Sequence, residues 1–261
     1  MKKYKTILVD KESLVATIRL NRLDVHNAFN DVMMSEIVEA LEGIDNTDAR
    51  LIVLTASGPD FCSGADLNWM RECSANNRNE TERSSESLHK LYSKIRSLSV
   101  PLVSRVFGNV FAGGVGLCAA SDIVYAEEGT DFCISEARVG LIPAVMSPFV
   151  VARIGIPRFR ELVLTARKFN ALEALQMGLI DFVLPKEVAD EYFSDSLRSI
   201  LKNGPEALSA SKSLCRHLES YDWNRNSQDL VGMIAERRAS AEGQEGVKAF
   251  LEKRPPKWRM P

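Results

Sequence analysis

The sequence predicts an α/β fold, in which a parallel sheet with crossover helices is followed by a helical region. Apolar runs of strand length alternate with segments of helical periodicity as far as about residue 185, an order typical of parallel sheets. Beyond that point the strand-like runs stop and the helical periodicity continues. The chain has 261 residues and is 45% hydrophobic, enough for one large core with an appendage. We therefore expect a core over residues 1–195 and a C-terminal helical oligomerisation region over residues 196–261.

The first half of the chain has the order strand, helix, strand, which then repeats. After a charged, strand-like start, residues 14–20 alternate apolar and polar side chains, and residues 51–55 form a short apolar run. Both patterns predict strands. Residues 31–44 carry apolar side chains at helical spacing. The order returns as a helix over 88–98, a strand over 102–106, a helix from Gly113-Gly114 and a strand over 123–126. This alternation predicts parallel pairing.

Residues 68–87 break the pattern, because they are polar and have no apolar stripe after Trp69 and Met70. A mobile flap and a solvated insertion are both consistent with that composition. A last strand over 180–184 then precedes four helical segments, over 188–201, 205–218, 223–241 and 246–253. Helices that bury their apolar faces poorly pack on the core or on a neighbouring subunit, so we expect a homo-oligomer.

Composition excludes several classes of protein. With 33 Lys and Arg against 35 Asp and Glu, and no basic block interleaved with aromatic residues, no nucleic-acid partner is expected. Five scattered cysteines without a C-x-x-C pair indicate reduced thiols. The start has no apolar segment of the signal-peptide type, and the longest weakly polar stretch, residues 110–120, is too short to span a membrane. We expect a cytoplasmic protein without a membrane partner.

Familiar nucleotide, hydrolase and metal motifs are missing from the sequence. Residues 112–116 fit neither a phosphate-binding loop nor a dinucleotide fingerprint, and there is no G-x-S-x-G elbow. The three histidines are not paired at ligand spacing, so no metal site is expected. What remains is backbone N–H groups at the glycine-rich helix start, where an anionic oxygen is favoured. Close helix–strand packing is the alternative explanation for Gly113 and Gly114.

Glu136 is a single carboxylate among small and apolar residues. Its neighbours Phe132, Ile134, Ala137 and Val139 would desolvate it and raise its pKa, as acid/base catalysis needs. A surface carboxylate, or one paired with Arg138, is the alternative.

An ordered set of segments from Asn21 to about Pro185 resembles the enoyl-CoA hydratase/isomerase (crotonase) family. The resemblance implies a spiral of ββα repeats, a homotrimer or dimer of trimers, and an acyl-CoA thioester substrate, with coenzyme A part of the substrate and no separate cofactor. It also implies that the N–H groups of Ala65 and Gly113 hold the thioester oxygen and that Glu136 is the acid/base. The segments are Asn21-Arg22, His26-Asn27-Ala28-Phe29, residues 61–67, Ala112-Gly113-Gly114, Asp122-Ile123, Phe132, Glu136, Gly140, Pro143, Leu164-Thr165 and residues 171–180.

One position departs from the family pattern. Hydratases of the family usually carry a first glutamate where this chain has Gly116, and a lone glutamate at position 136 resembles Δ3,Δ2-enoyl-CoA isomerases. Longer local stretches, over residues 65–70, 112–117, 132–141 and 143–150, resemble bacterial methylglutaconyl-CoA hydratases of leucine and terpene breakdown. We give the longer match more weight than the glutamate count, and expect a lyase that hydrates a branched 2-enoyl-CoA such as 3-methylglutaconyl-CoA.

The resemblance also implies binding residues around the substrate. The oxyanion loops would contribute Gly64, Asp66, Leu67, Gly114 and Gly116, and the acyl pocket Trp69, Met70 and Phe149. Arg71, Arg138 and Arg153 are candidates for reading a distal carboxylate. Arg22, His26 and Ala28 would meet pantetheine and diphosphate, and Phe250 and Lys253 a neighbouring subunit's adenine.

Two other classes stay open. One is a single-base isomerase, or a glutaconyl-type decarboxylase that uses only the oxyanion hole. The other is a non-catalytic acyl-CoA- or RNA-binding relative. The near-neutral charge argues against RNA binding, and the presence of Glu136 with both loops argues against loss of activity.

Overall fold

The computed structural model describes residues 2–76, 78–219 and 227–259. They form two compact units, one comprising Met1–Leu98 with Leu102–Phe193 and the other Ser99–Pro101 with Ser194–Pro261. No helix within those described ranges has the length and apolar character needed to cross a membrane.

Nine strands of the described chain form two sheets in the first unit. They are β1 (Ile7–Glu12), β2 (Val15–Leu20), β3 (Leu51–Ala56), β4 (Leu102–Val106), β5 (Asn109–Phe111), β6 (Ile123–Glu127), β7 (Asp131–Cys133), β8 (Lys168–Asn170) and β9 (Phe182–Leu184). The larger sheet has the order β1-β2-β3-β4-β6-β9 and is parallel apart from the β1–β2 hairpin. The smaller sheet has the order β5-β7-β8, in which β5 and β7 are parallel.

Helices connect these strands. Their bounds are α1 (Asp31–Ile44), α2 (Leu67–Asn76), α3 (Arg78–Ser97), α4 (Gly113–Ala120), α5 (Ser147–Thr165) and α6 (Ala171–Met177), and α7 (Ala189–Leu201) begins in the first unit and ends in the second. Two successive strands and a helix recur as β4-β5-α4 and β6-β7-α5, which is the ββα repeat that was expected. Each repeat supplies one strand to each sheet.

Local sequence explains the well-predicted elements. The Asn30 side chain accepts the N–H of Met33 at 3.0 Å and so caps α1. Met33, Ile37 and Leu41 form the buried stripe of that helix. All six residues of β3 are buried, because a central parallel strand is covered on both faces.

The described part of the polar stretch 68–87 is helical. A helix is compatible with a flap and with a solvated insertion, so both readings stay predictions. The stretch contains most of α2 and the first half of α3. The second half of α3 buries Leu91, Tyr92 and Ile95 completely, while the first half carries polar, largely exposed side chains. A helix anchored at one end in this way has no continuous apolar stripe for a sequence pattern to detect.

The second unit is helical and contains α8 (Pro205–Leu218), α9 (Ser227–Ala239) and α10 (Ala241–Leu251). The predicted helix over 223–241 lies partly outside the described residues, at 223–226, and it ends before Ser240. Ser240 has extended backbone angles and accepts the N–H of Gly243 at 3.0 Å, so it caps α10. The predicted helix over 246–253 therefore begins earlier, at Ala241.

Candidate active site

Two loops leave the smaller sheet at the same edge. β5 and β7 are parallel neighbours, with Phe111 opposite Cys133, and the N–H of Ala112 donates to the carbonyl of Cys133 at 2.8 Å. α4 begins directly after the first strand, at Gly113, and Glu136 lies three residues after the second. The parallel pairing therefore brings the glycine-rich helix start and the lone carboxylate to one place.

A third loop packs against the start of α4. Gly64 has φ +97°, and a Cβ on it would lie 2.9 Å from the Cβ of Ala112. Both the backbone angle and the close approach therefore require glycine. Ala112 itself adopts the unusual φ of +46° just before the helix, and strain of this kind is concentrated at functional sites.

The N–H groups of Ala65 and Gly113 lie on these neighbouring loops. Phe29 forms a β-bridge with the loop that contains Ala65. The N–H of Phe29 donates to the Gly64 carbonyl, and the Phe29 carbonyl accepts the N–H of Asp66. The N–H of Ala65 is left outside this pairing. Gly113 is the first residue of α4 and has no acceptor within the helix. Two such N–H groups, with the dipole of α4 behind one of them, can bind an anionic oxygen.

Packing also explains both glycines of the helix start. A Cβ on Gly113 would lie 2.5 Å from the Phe29 ring, and one on Gly114 would lie 2.9 Å from the carbonyl oxygen of Cys62. Close packing and oxyanion binding are compatible, because close packing requires only that these residues have no Cβ, whereas oxyanion binding uses the backbone N–H.

Glu136 begins the 3₁₀ turn Glu136–Val139, and its Oε2 is buried without a hydrogen-bond partner among the described residues. The proposed pairing with Arg138 is not formed there, since Arg138 Nη2 donates to the Ala166 carbonyl at 2.6 Å. A buried oxygen without a partner costs stability, and a catalytic role is one recognised reason for which native proteins retain such a group.

Burial raises the pKa of Glu136, and hydrogen bonds from the backbone N–H groups of Glu136 and Ser135 only partly oppose the change. The expected direction is correct, but the set of desolvating neighbours was too large. Phe132 and Ile134 are buried, whereas Ala137 and Val139 are exposed, because the 3₁₀ turn carries them outward before Gly140.

Tyr92 on α3 is a site neighbour that the sequence analysis missed. Its hydroxyl donates to the carbonyl of Gly113 at 2.8 Å, and its ring packs edge-on against Phe149. Burial raises the pKa of Tyr92, with further contributions from nearby groups that include Glu136. A lone tyrosine within an apolar helix stripe gives no local signal of such a contact.

Arg22 and Asp66 hold the Ala65 loop. Arg22 donates to the Ala28 carbonyl at 2.6 Å and to the Asp66 carboxylate at 2.9 Å. The other oxygen of Asp66 accepts the N–H groups of Asn68 and Trp69 at the start of α2. These contacts show that Arg22, Ala28 and Asp66 have a structural role. The substrate-binding role that the resemblance implies for them stays a prediction.

His26 is an exposed side chain oriented by a buried acid. Its Nδ1 lies 2.7 Å from Asp60 Oδ2, and 62% of its side chain is exposed. Asp60 also accepts two hydrogen bonds from Asn109. Burial acts to raise the pKa of Asp60, but the bonds from Asn109 and His26 outweigh it and lower that pKa.

The remaining predicted residues are spread over several elements. Trp69 and Met70 are half-buried on α2, Leu67 at its start is exposed, and Phe149 is buried on α5. Arg153 donates to the carbonyls of Ala119, Ser121, Asp122 and Leu179 and pairs with Asp181. Phe250 and Lys253 belong to the second unit and are exposed.

Side chains that could bind a metal ion are not clustered in the part of the chain that the structure describes. No group of three or more His, Cys, Asp or Glu side chains there could hold a metal ion. Burial raises the pKa of the Cys62 and Cys118 thiols to about 12, so both are neutral at ordinary pH.

The chain is similar to known proteins over almost its whole length. Residues 10–261 match a family model described as enoyl-CoA hydratase/isomerase. A "Probable enoyl-CoA hydratase" of Rhodobacter capsulatus is 34% identical over 261 residues, covering 97% of each chain. The "2,3-dehydroadipyl-CoA hydratase" of Escherichia coli is 26% identical over 255 residues, which is 97% of this chain and 98% of the relative. The crystal structure of an enoyl-CoA hydratase from Shewanella pealeana superposes with a TM-score of 0.93 at 34% identity, covering 98% of this chain and 97% of the other.

Proposed function

The chain belongs to the enoyl-CoA hydratase/isomerase family, and we propose that it is a lyase which adds water to a branched 2-enoyl-CoA, 3-methylglutaconyl-CoA. Action on an enoyl-CoA thioester follows from family membership. The branched dicarboxylic substrate is supported by the local resemblance to methylglutaconyl-CoA hydratases. It is also supported by a relative named for 2,3-dehydroadipyl-CoA, the thioester of a dicarboxylic acid.

The observation that carries the proposal is the unpartnered Oε2 of Glu136 beside two loops with available N–H groups. In the proposed reaction, the thioester oxygen accepts hydrogen bonds from Ala65 and Gly113. Glu136 takes a proton from water while the water oxygen bonds to C3, and the electrons of the C2–C3 double bond pass to the thioester as an enolate. Glu136 then returns the proton to C2. One water is consumed, and the raised pKa of Glu136 suits both transfers.

A cation is needed for the distal carboxylate of such a substrate, and Arg71, Arg138 and Arg153 are the three candidates. Arg138 and Arg153 already donate to backbone carbonyls. Arg71 is exposed on α2 directly after Met70. We therefore assign the distal carboxylate to Arg71.

A single-base isomerisation is the second candidate, and the room around Gly116 favours it. A Cβ at Gly116 would lie 2.5 Å from the Tyr92 ring, so no second carboxylate fits there beside Tyr92. Moving a proton between two carbons needs one base, whereas most hydration sites divide the acid and base roles between two groups.

We propose further that the enzyme works in the cytoplasm as a homotrimer or a dimer of trimers.

The absorbance of the conjugated thioester tests these alternatives directly. Purified protein is given 3-methylglutaconyl-CoA and, in parallel, crotonyl-CoA, and the product masses are recorded. We expect gain of one water on the branched acid, with kcat/KM higher than for crotonyl-CoA by about 100-fold or more. Loss of carbon dioxide, or migration of the double bond in a 3-enoyl substrate without hydration, would replace the hydratase by the corresponding alternative.

A further inference from the structure

Tyr92 is a buried hydroxyl that the proposed reaction does not use. Its side chain is fully buried, and its hydroxyl donates to the Gly113 carbonyl at 2.8 Å. The ring centroid lies 5.5 Å from that of Phe149 in an edge-on arrangement. The contact joins α3 to the residue whose N–H faces the thioester in the proposed function.

The same ring fills the space beside Gly116. A Cβ on Gly116 would lie 2.5 Å from both Cζ and the hydroxyl oxygen of Tyr92, and 2.9 Å from the Cβ of Met146. Real Cβ atoms essentially never approach other atoms so closely. Any residue other than glycine at position 116 therefore requires Tyr92 to move.

We infer that Tyr92 fills the space that a glutamate side chain at position 116 would need. We infer also that its hydrogen bond to the Gly113 carbonyl positions the Gly113 N–H toward the thioester oxygen. The inference rests on the proposed function, because that function assigns the Gly113 N–H to the oxyanion. The carbonyl and the N–H belong to one residue, so a bond to the first restrains the backbone angles that aim the second. Tyr92 is a positioning residue and does not itself touch the substrate.

This arrangement has a consequence for Glu136. The space beside Gly116 is closed by the Tyr92 ring and by Met146, and the Tyr92 ring packs edge-on against Phe149. Burial raises the pKa of Tyr92, so its hydroxyl stays protonated and continues to donate. Proton transfer is then left to Glu136 alone.

Tyr92→Phe tests the positioning role, because it removes the hydroxyl and keeps the ring. We expect kcat to fall between about 10-fold and 100-fold, as a displaced catalytic group does, with KM within about twofold. Tyr125→Phe is the matched control. Tyr125 is also buried, but its ring stacks on Phe182 in the larger sheet. Unchanged kcat in Tyr92→Phe would overturn the positioning role.

A chromophoric thioester, 4-dimethylaminocinnamoyl-CoA, reads the oxyanion site without turnover. Its absorption moves to longer wavelength when the carbonyl is polarised, so we expect a red shift with the native protein and a smaller one with Tyr92→Phe. Equal shifts in the two proteins would contradict the inference. Absence of turnover of 3-methylglutaconyl-CoA by the native protein would instead contradict the proposed function, which separates failure of the inference from failure of that function.

A double-mutant cycle on melting temperature tests the shared volume. We expect Gly116→Ala to lower the melting temperature strongly in the native background and less in a Tyr92→Ala background, because the two closest contacts are then absent and only that with Met146 remains. Gly43→Ala is the control, since a Cβ there meets nothing within 4 Å. Additive effects of the two site substitutions would show that Tyr92 and Gly116 do not share this space.

Discussion

At the scale of single residues, the site depends on the Glu136 carboxylate, whose Oε2 has no hydrogen-bond partner among the described residues. We predict that Glu136→Gln lowers kcat for hydration by about 10²–10⁴-fold, the usual contribution of general acid–base catalysis. The amide has nearly the same shape but can neither accept nor return the proton. Steady-state kinetics on the preferred enoyl-CoA measures the change.

Glu128→Gln is the matched control for that substitution, because Glu128 is exposed on the turn that follows β6. It should leave kcat unchanged. Full activity in Glu136→Gln would remove Glu136 from the reaction and leave oxyanion binding as the only catalytic device.

The raised pKa of Glu136 also predicts a pH-dependent effect on stability. Its ordinary pKa is 4.5 and its pKa in the folded protein is higher, so between these values the folded state binds more protons and stability falls as the pH rises. We therefore expect Glu136→Gln to raise the melting temperature at pH 7.5, with the gain shrinking as the pH approaches 4.5. Thermal unfolding at several pH values tests this, and an equal gain at all pH values would contradict it.

Arg71 gives a prediction about specificity. Arg71→Met should raise KM for 3-methylglutaconyl-CoA by about 10-fold or more, since a charged partner of the distal carboxylate is lost. KM for crotonyl-CoA should not change, because that acyl chain has no second carboxylate. Arg83→Met, an exposed arginine on α3, is the control, and an equal effect of Arg71→Met on both substrates would show that Arg71 does not read the carboxylate.

At the scale of elements, Asp66 joins the Ala65 loop to the start of α2. We predict that Asp66→Ala lowers the free energy of unfolding by about 0.5–2 kcal/mol through loss of the cap and also lowers kcat, because the Ala65 N–H loses its support. Asp66→Asn keeps the capping acceptor and should be milder in both respects. Urea unfolding and kinetics of the two variants provide the comparison, and an Asn variant as impaired as the Ala variant would mean that the Arg22 ion pair outweighs the cap.

The same scale separates elements that local sequence could specify from those that it could not. Apolar spacing predicts α1 over 31–44 and α8 over 205–218, and the observed helices have these bounds. Local residues explain where each begins, because Asn30 caps α1 and Pro205 is the first residue of α8. The break between α9 and α10 depends on the Ser240 side chain, which accepts the N–H of Gly243. Hydrophobic periodicity does not detect such a cap. The helical state of residues 78–87 depends on an anchor further along α3.

At the scale of the whole molecule, the described part of the second unit carries several exposed large apolar side chains. Its exposed apolar side chains are Leu218, Val231, Ile234, Val247, Phe250 and Leu251. Such surface is typical of subunit interfaces, and the family resemblance implies a trimer or a dimer of trimers. We therefore predict a mass in solution of about three or six times the 29.0 kDa chain. Light scattering after gel filtration measures it, and a mass of one chain would contradict the prediction.

Leu251→Asp should reduce that mass, since a charge in an apolar interface opposes association. Leu8→Asp, at an exposed apolar position on β1 in the first unit, should not. Circular dichroism of both variants checks that the fold is retained.

By itself, the sequence determined the alternation of strands and helices, the two small-residue loops and the lone Glu136, because each is a local pattern of spacing or residue type. Only the tertiary structure decided what surrounds these features. The Arg22–Asp66 pair spans 44 positions and the Tyr92–Gly113 bond spans 21, and the room beside Gly116 is set by a ring from another helix. Contacts at such separations depend on how elements pack, and packing follows from the volume and shape of side chains that no local pattern brings together.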